Sequence, residues 1–336
     1  MNNLKKIGVT ALAGSLAMTA ASAVEYSMSG DAIIKFASSD SPKAGQAKNG
    51  KGIGVDTDLA FTASGELDNG MTVTFFQAAD TNGAWSNSSS QVTIGMGSMG
   101  TLQFNNISGS KANGIDDVMP AAYNETWDGL SAVAGDNPSD FGASTASGSV
   151  DYRIPAQEMM GATINASVTL DPNADEAAPA AGGVGTTSVS GTAYTLEIAH
   201  ESGLSIGAGQ ETIDNGGALG GDEENVTAYA KFAMGPITVG YQEAYQNTAN
   251  GGQDNESEFM AIAYTAGDLS VSYGESSITN HGIAVTTQVE RELDSIQFAY
   301  TMGAMTISGA VAETSNSGGI AGQTHEESEL AVSFAF

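Results

Sequence analysis

Short segments in which apolar residues alternate with Ser, Thr or Gly recur along the chain. They include Met71-Thr72-Val73-Thr74-Phe75, Leu204-Ser205-Ile206-Gly207-Ala208, Ile237-Thr238-Val239-Gly240-Tyr241, Leu269-Ser270-Val271-Ser272-Tyr273 and Met305-Thr306-Ile307-Ser308-Gly309. A period of two places one residue class on each face of a strand. Each segment follows a tight-turn signal: Asp68-Asn69-Gly70, Glu201-Ser202-Gly203, Gly235-Pro236, Ala266-Gly267-Asp268 and Met302-Gly303-Ala304. The segments therefore read as the second strands of hairpins. Working outward from the turns predicts sixteen strands, near 25–37, 55–67, 70–79, 90–96, 100–106, 148–155, 161–171, 190–200, 203–212, 225–234, 236–246, 256–266, 268–276, 286–301, 304–313 and 326–336. Their connections alternate between a tight turn and a long loop rich in Gly, Asn, Asp and Ser. Such alternation is expected of an up-and-down antiparallel transmembrane barrel with short periplasmic turns and long external loops.

A barrel wall that separates lipid from water needs apolar residues outside and polar residues inside. Between Ala162 and Leu170 the outward set would be Ala162, Ile164, Ala166, Val168 and Leu170, and the inward set Thr163, Asn165, Ser167 and Thr169. A secreted acidic β-sandwich or surface-layer adhesin would show the same alternation, so that reading stands as the alternative. Two features favour the membrane. Tyr26, Tyr152, Tyr241, Tyr264, Tyr273 and Tyr300 lie at or near strand ends, where aromatic girdles belong. The last residues, Leu330 to Phe336, still alternate and finish on an aromatic.

Residues 1–23 read as a signal peptide: Lys5 and Lys6, an apolar stretch from Ile7 to Ala20, then the small-x-small site Ala21-Ser22-Ala23. That leaves 24–336 as the barrel. No later segment approaches the ~18 consecutive apolar residues of a spanning helix. There are no cysteines, so neither disulfides nor thiol chemistry is available. Lys plus Arg number 10 against 39 Asp plus Glu, and loss of Lys5 and Lys6 takes the formal charge from -29 to -31. Such a surface repels nucleic acid and anionic ligands and attracts cations.

The chain resembles the general porins of Gram-negative bacteria, and most of all their alphaproteobacterial members. The likeness rests on the amino-terminal leader, the opening strand Tyr26-Ser27-Met28-Ser29-Gly30-Asp31-Ala32, the long loop after the fifth strand, and Phe334-Ala335-Phe336. The resemblance implies a homotrimer of 16-stranded barrels in outer-membrane lipid, each with its own pore for small hydrophilic solutes. It implies a third external loop folded into the lumen, and Phe336 as an assembly signal read by the barrel assembly machinery.

Residues 107–147 form the longest connection and, by the hairpin count, the third external loop. A loop of that length is expected to be functional. It carries Lys111, Asp116, Asp117, Glu125, Asp128, Asp136 and Asp140, with Pro120, Trp127 and Pro138 as rigid packing points. The constriction acids are expected to be Asp116, Asp117, Glu125 and Asp128. Phasing the strands by their apolar positions turns Asp31, Lys35, Asp56, Asp58, Arg153, Lys231 and Arg291 toward the pore. The family's eyelet sets loop acids against an arginine cluster. This wall is poor in basic residues, so cations and neutral solutes are expected to be favoured.

Other signals carry less. Gly95-Met96-Gly97-Ser98-Met99-Gly100 matches the dinucleotide fingerprint but precedes a strand, not a helix, and reads as a hairpin turn. His200, His281 and His325 lack metal-ligand spacing, and His325 reads as part of a solvated strand end. Asp171-Pro172-Asn173-Ala174-Asp175-Glu176 opens like a calcium loop but lacks the sixth-position glycine. No cofactor is expected beyond weak Ca2+ bridging among acidic loops, and no catalytic constellation is identifiable. The barrel reading predicts heat-modifiable electrophoretic migration from isolated outer membranes; a soluble, detergent-independent monomer would instead support the sandwich.

Overall fold

The computed structural model describes residues 24–40, 50–80, 86–106, 109–116, 118–126, 141–142, 145, 148–172, 189–214, 221–247, 254–281 and 289–336. Residues 1–23, expected to be a signal peptide, and the expected constriction acids Asp117 and Asp128 lie outside them. The strands are β1 (Glu25–Asp40), β2 (Gly50–Glu66), β3 (Thr72–Asp80), β4 (Ser86–Gly95), β5 (Thr101–Asn106), β6 (Val150–Arg153), β7 (Gln157–Met159), β8 (Ala162–Asp171) and β9 (Ser190–His200). They continue as β10 (Leu204–Asp214), β11 (Glu223–Met234), β12 (Ile237–Asn247), β13 (Asp254–Ala266), β14 (Leu269–His281), β15 (Arg291–Met302), β16 (Met305–Ser315) and β17 (Thr324–Ala335).

Apart from β6 and β7, each strand pairs antiparallel with its sequence neighbours, and β17 returns to pair with β1, so the sheet closes. Both β6 and β7 pair with β8, which makes them two halves of one stave and gives a barrel of sixteen. The interruption falls at Pro155, which has no N–H to give to a ladder. No helix among the described residues is long and apolar enough to cross a membrane, so the strands must do it.

Tight turns collect at one end. Gly70, Gly203, Gly235, Gly267 and Gly303 all have positive φ there, as short hairpin turns require. The Gly95–Gly100 segment is likewise a turn: Met96 N–H donates to the Gly100 carbonyl at 2.9 Å, and a single 3-10 turn joins β4 to β5.

Burial is inverted relative to a soluble protein. Ile296 and Val311 are 66% and 64% exposed, while Gln242, Glu211 and Thr169 are each 0% exposed. A sandwich would enclose its apolar face; this sheet turns that face outward all the way round. Exposed apolar area on this scale belongs in lipid. Tyr26, Tyr241, Tyr264, Tyr273 and Tyr300 are among the exposed side chains. On one side of the barrel the apolar face ends at a row of outward carboxylates in direct cross-strand register: Asp40 opposite Glu326, Glu326 opposite Glu313, Glu313 opposite Asp294, and Asp294 opposite Glu275. Like charges placed directly opposite repel, so the row belongs in water or headgroups, beyond the hydrocarbon.

The closing seam runs to the last residue, where Gly30 and Phe336 exchange backbone hydrogen bonds at 2.8 and 2.9 Å. A Cβ at Gly30 would come within 2.8 Å of the Asp58 carbonyl oxygen and 3.2 Å of the Phe336 ring. We expect Gly30→Val to force the seam apart and cost about 1–3 kcal/mol, as overpacking does. Loss of the compact band at lower urea or temperature on unheated gels would register it.

Candidate functional site: the constriction loop and the pore wall

The described parts of the long loop, residues 109–116, 118–126, 141–142 and 145, lie inside the barrel along its inner wall. Its near end is held by an apolar cluster of Ala112, Ile115 and Phe141 from the loop with Ala193 of β9 and Tyr229 of β11. Glu211, fully buried on β10, accepts the backbone N–H of Gly142 at 3.2 Å, the Thr145 hydroxyl at 3.0 Å and the Asn225 amide at 2.9 Å. Lys111 of the loop reaches Glu197 of β9 at 3.2 Å, and the Tyr229 hydroxyl donates to the same carboxylate at 2.9 Å.

Farther along, Gln242 of β12 donates to the carbonyls of Ile115 and Asp116 at 2.9 and 2.6 Å, and accepts from the N–H of Val118 at 3.3 Å. Ser272 of β14 accepts from Ala122 N–H at 2.9 Å. Gln297 of β15 accepts from the N–H groups of Tyr123 and Asn124, each at 3.0 Å, and donates to the Glu125 carbonyl at 3.3 Å. Irregular backbone inside a barrel is tolerable only when its polar groups find such partners or water.

The wall is also shaped for the loop. Inward positions on β10, β12 and β14 carry Gly209, Gly240 and Gly274. A Cβ there would lie 2.6 Å from the Phe141 ring, 2.8 Å from Pro120 and 2.3 Å from the Thr126 hydroxyl. Glycine within a strand marks close approach of another segment, and these three trace the loop's path.

The loop's reach ends at β17, where the Tyr123 hydroxyl and Asn124 amide donate to Glu329 at 3.4 and 3.5 Å. Burial lifts the Tyr123 phenol above its ordinary value; neighbouring Lys35 pulls it down and Glu329 pushes it up. The phenol therefore stays a donor at neutral pH.

The expected site residues fall in different parts of the wall. Lys35 is on the pore side of β1, paired with Glu329 at 3.2 Å. Asp31, Asp56 and Asp58 share that side of β1 and β2, with Asp31 opposite Asp58 and Asp58 opposite Asp80 of β3. Carboxylate oxygens of Asp56, Asp58 and Asp80 lie within 4.8 Å of one another. Arg153 sits at the loop stem, bonded to Asp151 at 3.0 Å and the Gly109 carbonyl at 3.3 Å. Lys231 lies 5.5 Å from the Tyr229 ring centroid, and Arg291 is buried at the loop end of β15, donating to Asn280 at 2.7 Å. The structure thus brings only Lys35 of these four cations to the loop's far tip. The Asp116 carboxylate accepts the Phe141 N–H, so it braces the loop on itself, while Glu125 is exposed.

His325 departs from the solvated strand end expected for it. It is fully buried on the pore side of β17 and within 3.1 Å of the Ser39 hydroxyl. Sequence reasoning also missed Glu211, Gln242, Gln297 and Glu329. Their signal was available in the strand phase that turned Lys35 inward, but nothing in the sequence distinguished loop anchors from other pore-lining polar residues.

The fold is similar to solved porins. A porin refined at 1.8 Å is 18% identical, with a TM-score of 0.65 over 93% of this chain and 100% of that one. An anion-selective porin from Comamonas acidovorans is 14% identical, with a TM-score of 0.67 over 94% of this chain and 100% of that one. OmpT of Vibrio cholerae in its trimer form is 12% identical, with a TM-score of 0.62 over 94% and 100%. A search of curated protein sequences found no significant match. The family model for Gram-negative porins matches residues 8–336. With the described strands closed into a barrel and the match spanning nearly the whole sequence, the chain belongs to the Gram-negative porin family of outer-membrane channels.

Proposed function

We propose that this porin is a passive diffusion pathway for small hydrophilic solutes that favours cationic and neutral ones over anions. One observation carries the preference. The pore-side cations Lys35, Lys111 and Arg153 are each matched by a carboxylate, Glu329, Glu197 and Asp151, at 3.0 to 3.2 Å. Asp31, Asp56 and Asp58, by contrast, enter no ion pair among the described residues. Asp31, Asp58 and Asp80 stand in one cross-strand row, where like charges repel. A passing cation relieves that repulsion and an anion adds to it. Acid rings select cations in the same way in other pores. Since one structural neighbour is anion-selective, the fold leaves the sign open and the wall side chains decide it.

The same reading takes the chain as a homotrimer, in line with the trimer form of a neighbour. Residues 1–23 act as a cleaved export signal and Phe336 as the mark for the assembly machinery. The small outward residues Gly30, Ala32, Ala63 and Gly65 suit a close subunit contact. Any Ca2+ bound here is better served by the Asp56, Asp58 and Asp80 oxygens than by external loops, because those three converge.

Reconstituted protein in a KCl gradient should give a reversal potential of cationic sign. Changing Asp31, Asp56 and Asp58 together to Asn should lower the cation-to-anion permeability ratio more than about ten-fold, three unit charges compounding at water-like dielectric; clear anion selectivity of the native protein would overturn the preference. The loop's part in setting the bore can be read separately. Gly240→Leu should push Pro120 and Met119 off the wall and measurably change single-channel conductance. Unchanged conductance would mean that the loop does not limit flow.

A further inference from the structure

We propose that Glu329 is a selectivity-determining and positioning residue of this pore, cancelling the charge of Lys35 while holding the tip of the constriction loop. The cation preference proposed above supplies the sign of the effect; the coupling itself rests on the local geometry.

Three groups converge on one oxygen. Glu329 Oε2 lies 3.2 Å from Lys35 Nζ, 3.4 Å from the Tyr123 hydroxyl and 3.5 Å from Asn124 Nδ2. The site is at the seam that closes the barrel: Glu329 is directly opposite Ala37 on β1 and Ala310 on β16. Small neighbours on both sides leave the carboxylate open to the loop above and the ammonium beside it. Its side chain is 10% exposed, whereas that of Lys35 is 39% exposed. Lys35 thus faces the pore water, two residues along the face from Ile33, whose cross-strand partner is Asp56. Removing the Glu329 carboxylate takes one negative charge from beside Lys35 and weakens the field of Asp31, Asp56 and Asp58. With Glu329 the pair is neutral, and the wall keeps its acidic character.

The charge role and the anchoring role separate experimentally. Reversal potentials in a KCl gradient would be measured for the native porin, Glu329→Gln, Lys35→Met and the double variant, each first checked for heat-modifiable migration. Glu329→Gln should lower the cation-to-anion ratio roughly three- to five-fold, the effect of one unit charge removed at water-like dielectric. Lys35→Met should shift the ratio the opposite way by a similar factor, and the double variant should return near the native value. Two single variants shifting in the same direction, or a double variant no closer to native than Glu329→Gln, would overturn the proposal. Should Glu329→Gln not fold, Lys35→Met decides alone: a raised ratio supports the pairing and an unmoved one refutes it.

Tyr123→Phe with Asn124→Ala removes the loop's hold without changing charge. It should increase open-channel noise and alter conductance; a fall in ratio equal to that of Glu329→Gln would assign the effect to anchoring and overturn the charge role. If the native porin itself prefers chloride, the general cation preference fails, yet opposite shifts of the two single variants would still establish Glu329.

Discussion

Every backbone N–H and C=O that meets lipid must be bonded within the protein, and this constraint decides most of the architecture. An unpaired group in hydrocarbon costs several kcal/mol, so no strand can be left at an edge. The seam between β1 and β17, carried on by the reciprocal Gly30 and Phe336 bonds, removes the last edge. Once the sheet is closed, its pleat sends alternate residues to opposite solvents. Apolar side chains can then occupy the outside without a conventional core, because the lipid takes that place.

Closure at sixteen staves also creates a lumen too wide for wall side chains to fill. The loop occupies part of it. Its attachment is a division of labour between shape and hydrogen bonding. Gly209, Gly240 and Gly274 clear a track, and Glu211, Gln242, Ser272, Gln297 and Glu329 bond to the loop along it. Neither set suffices alone. A cleared track without donors and acceptors would leave loop amides to water, and anchors under bulkier wall residues would not reach them.

The range of each interaction determines how much of it was legible in the sequence. Strand positions, turns and the inward or outward sense of Lys35 or Leu170 depend on local period and turn chemistry, and they were legible to within a few residues. The expected sixth strand ran unbroken to 155; the stave in two pieces around Pro155 came only from the pairing of β6 and β7 with β8. The loop's contacts were not legible. Gln242 meets Val118 across 124 positions and Tyr123 meets Glu329 across 206. No periodicity spans such distances. Gly240 read as one more small residue in an alternating strand, and only the position of Pro120 above it shows why it is glycine. His325 failed for the same reason, since the three glutamates after it suggested solvent while Ser39, far away in sequence, covers it.

Charge balance gives the deepest link from composition to function. A chain with 10 basic and 39 acidic residues could hide its acids on external loops and still present a balanced eyelet. Three of its pore-side cations are committed: Arg153 to the loop stem, Lys111 to Glu197, Lys35 to Glu329. On the reading proposed above, this pairing leaves Asp31, Asp56 and Asp58 as the wall acids whose charge a passing solute meets. On that reading the ion pairs at the loop's stem and tip also shape the electrostatics of the pore. Stability and selectivity are in this way tied to the same few side chains, and a change made to one will be felt in the other.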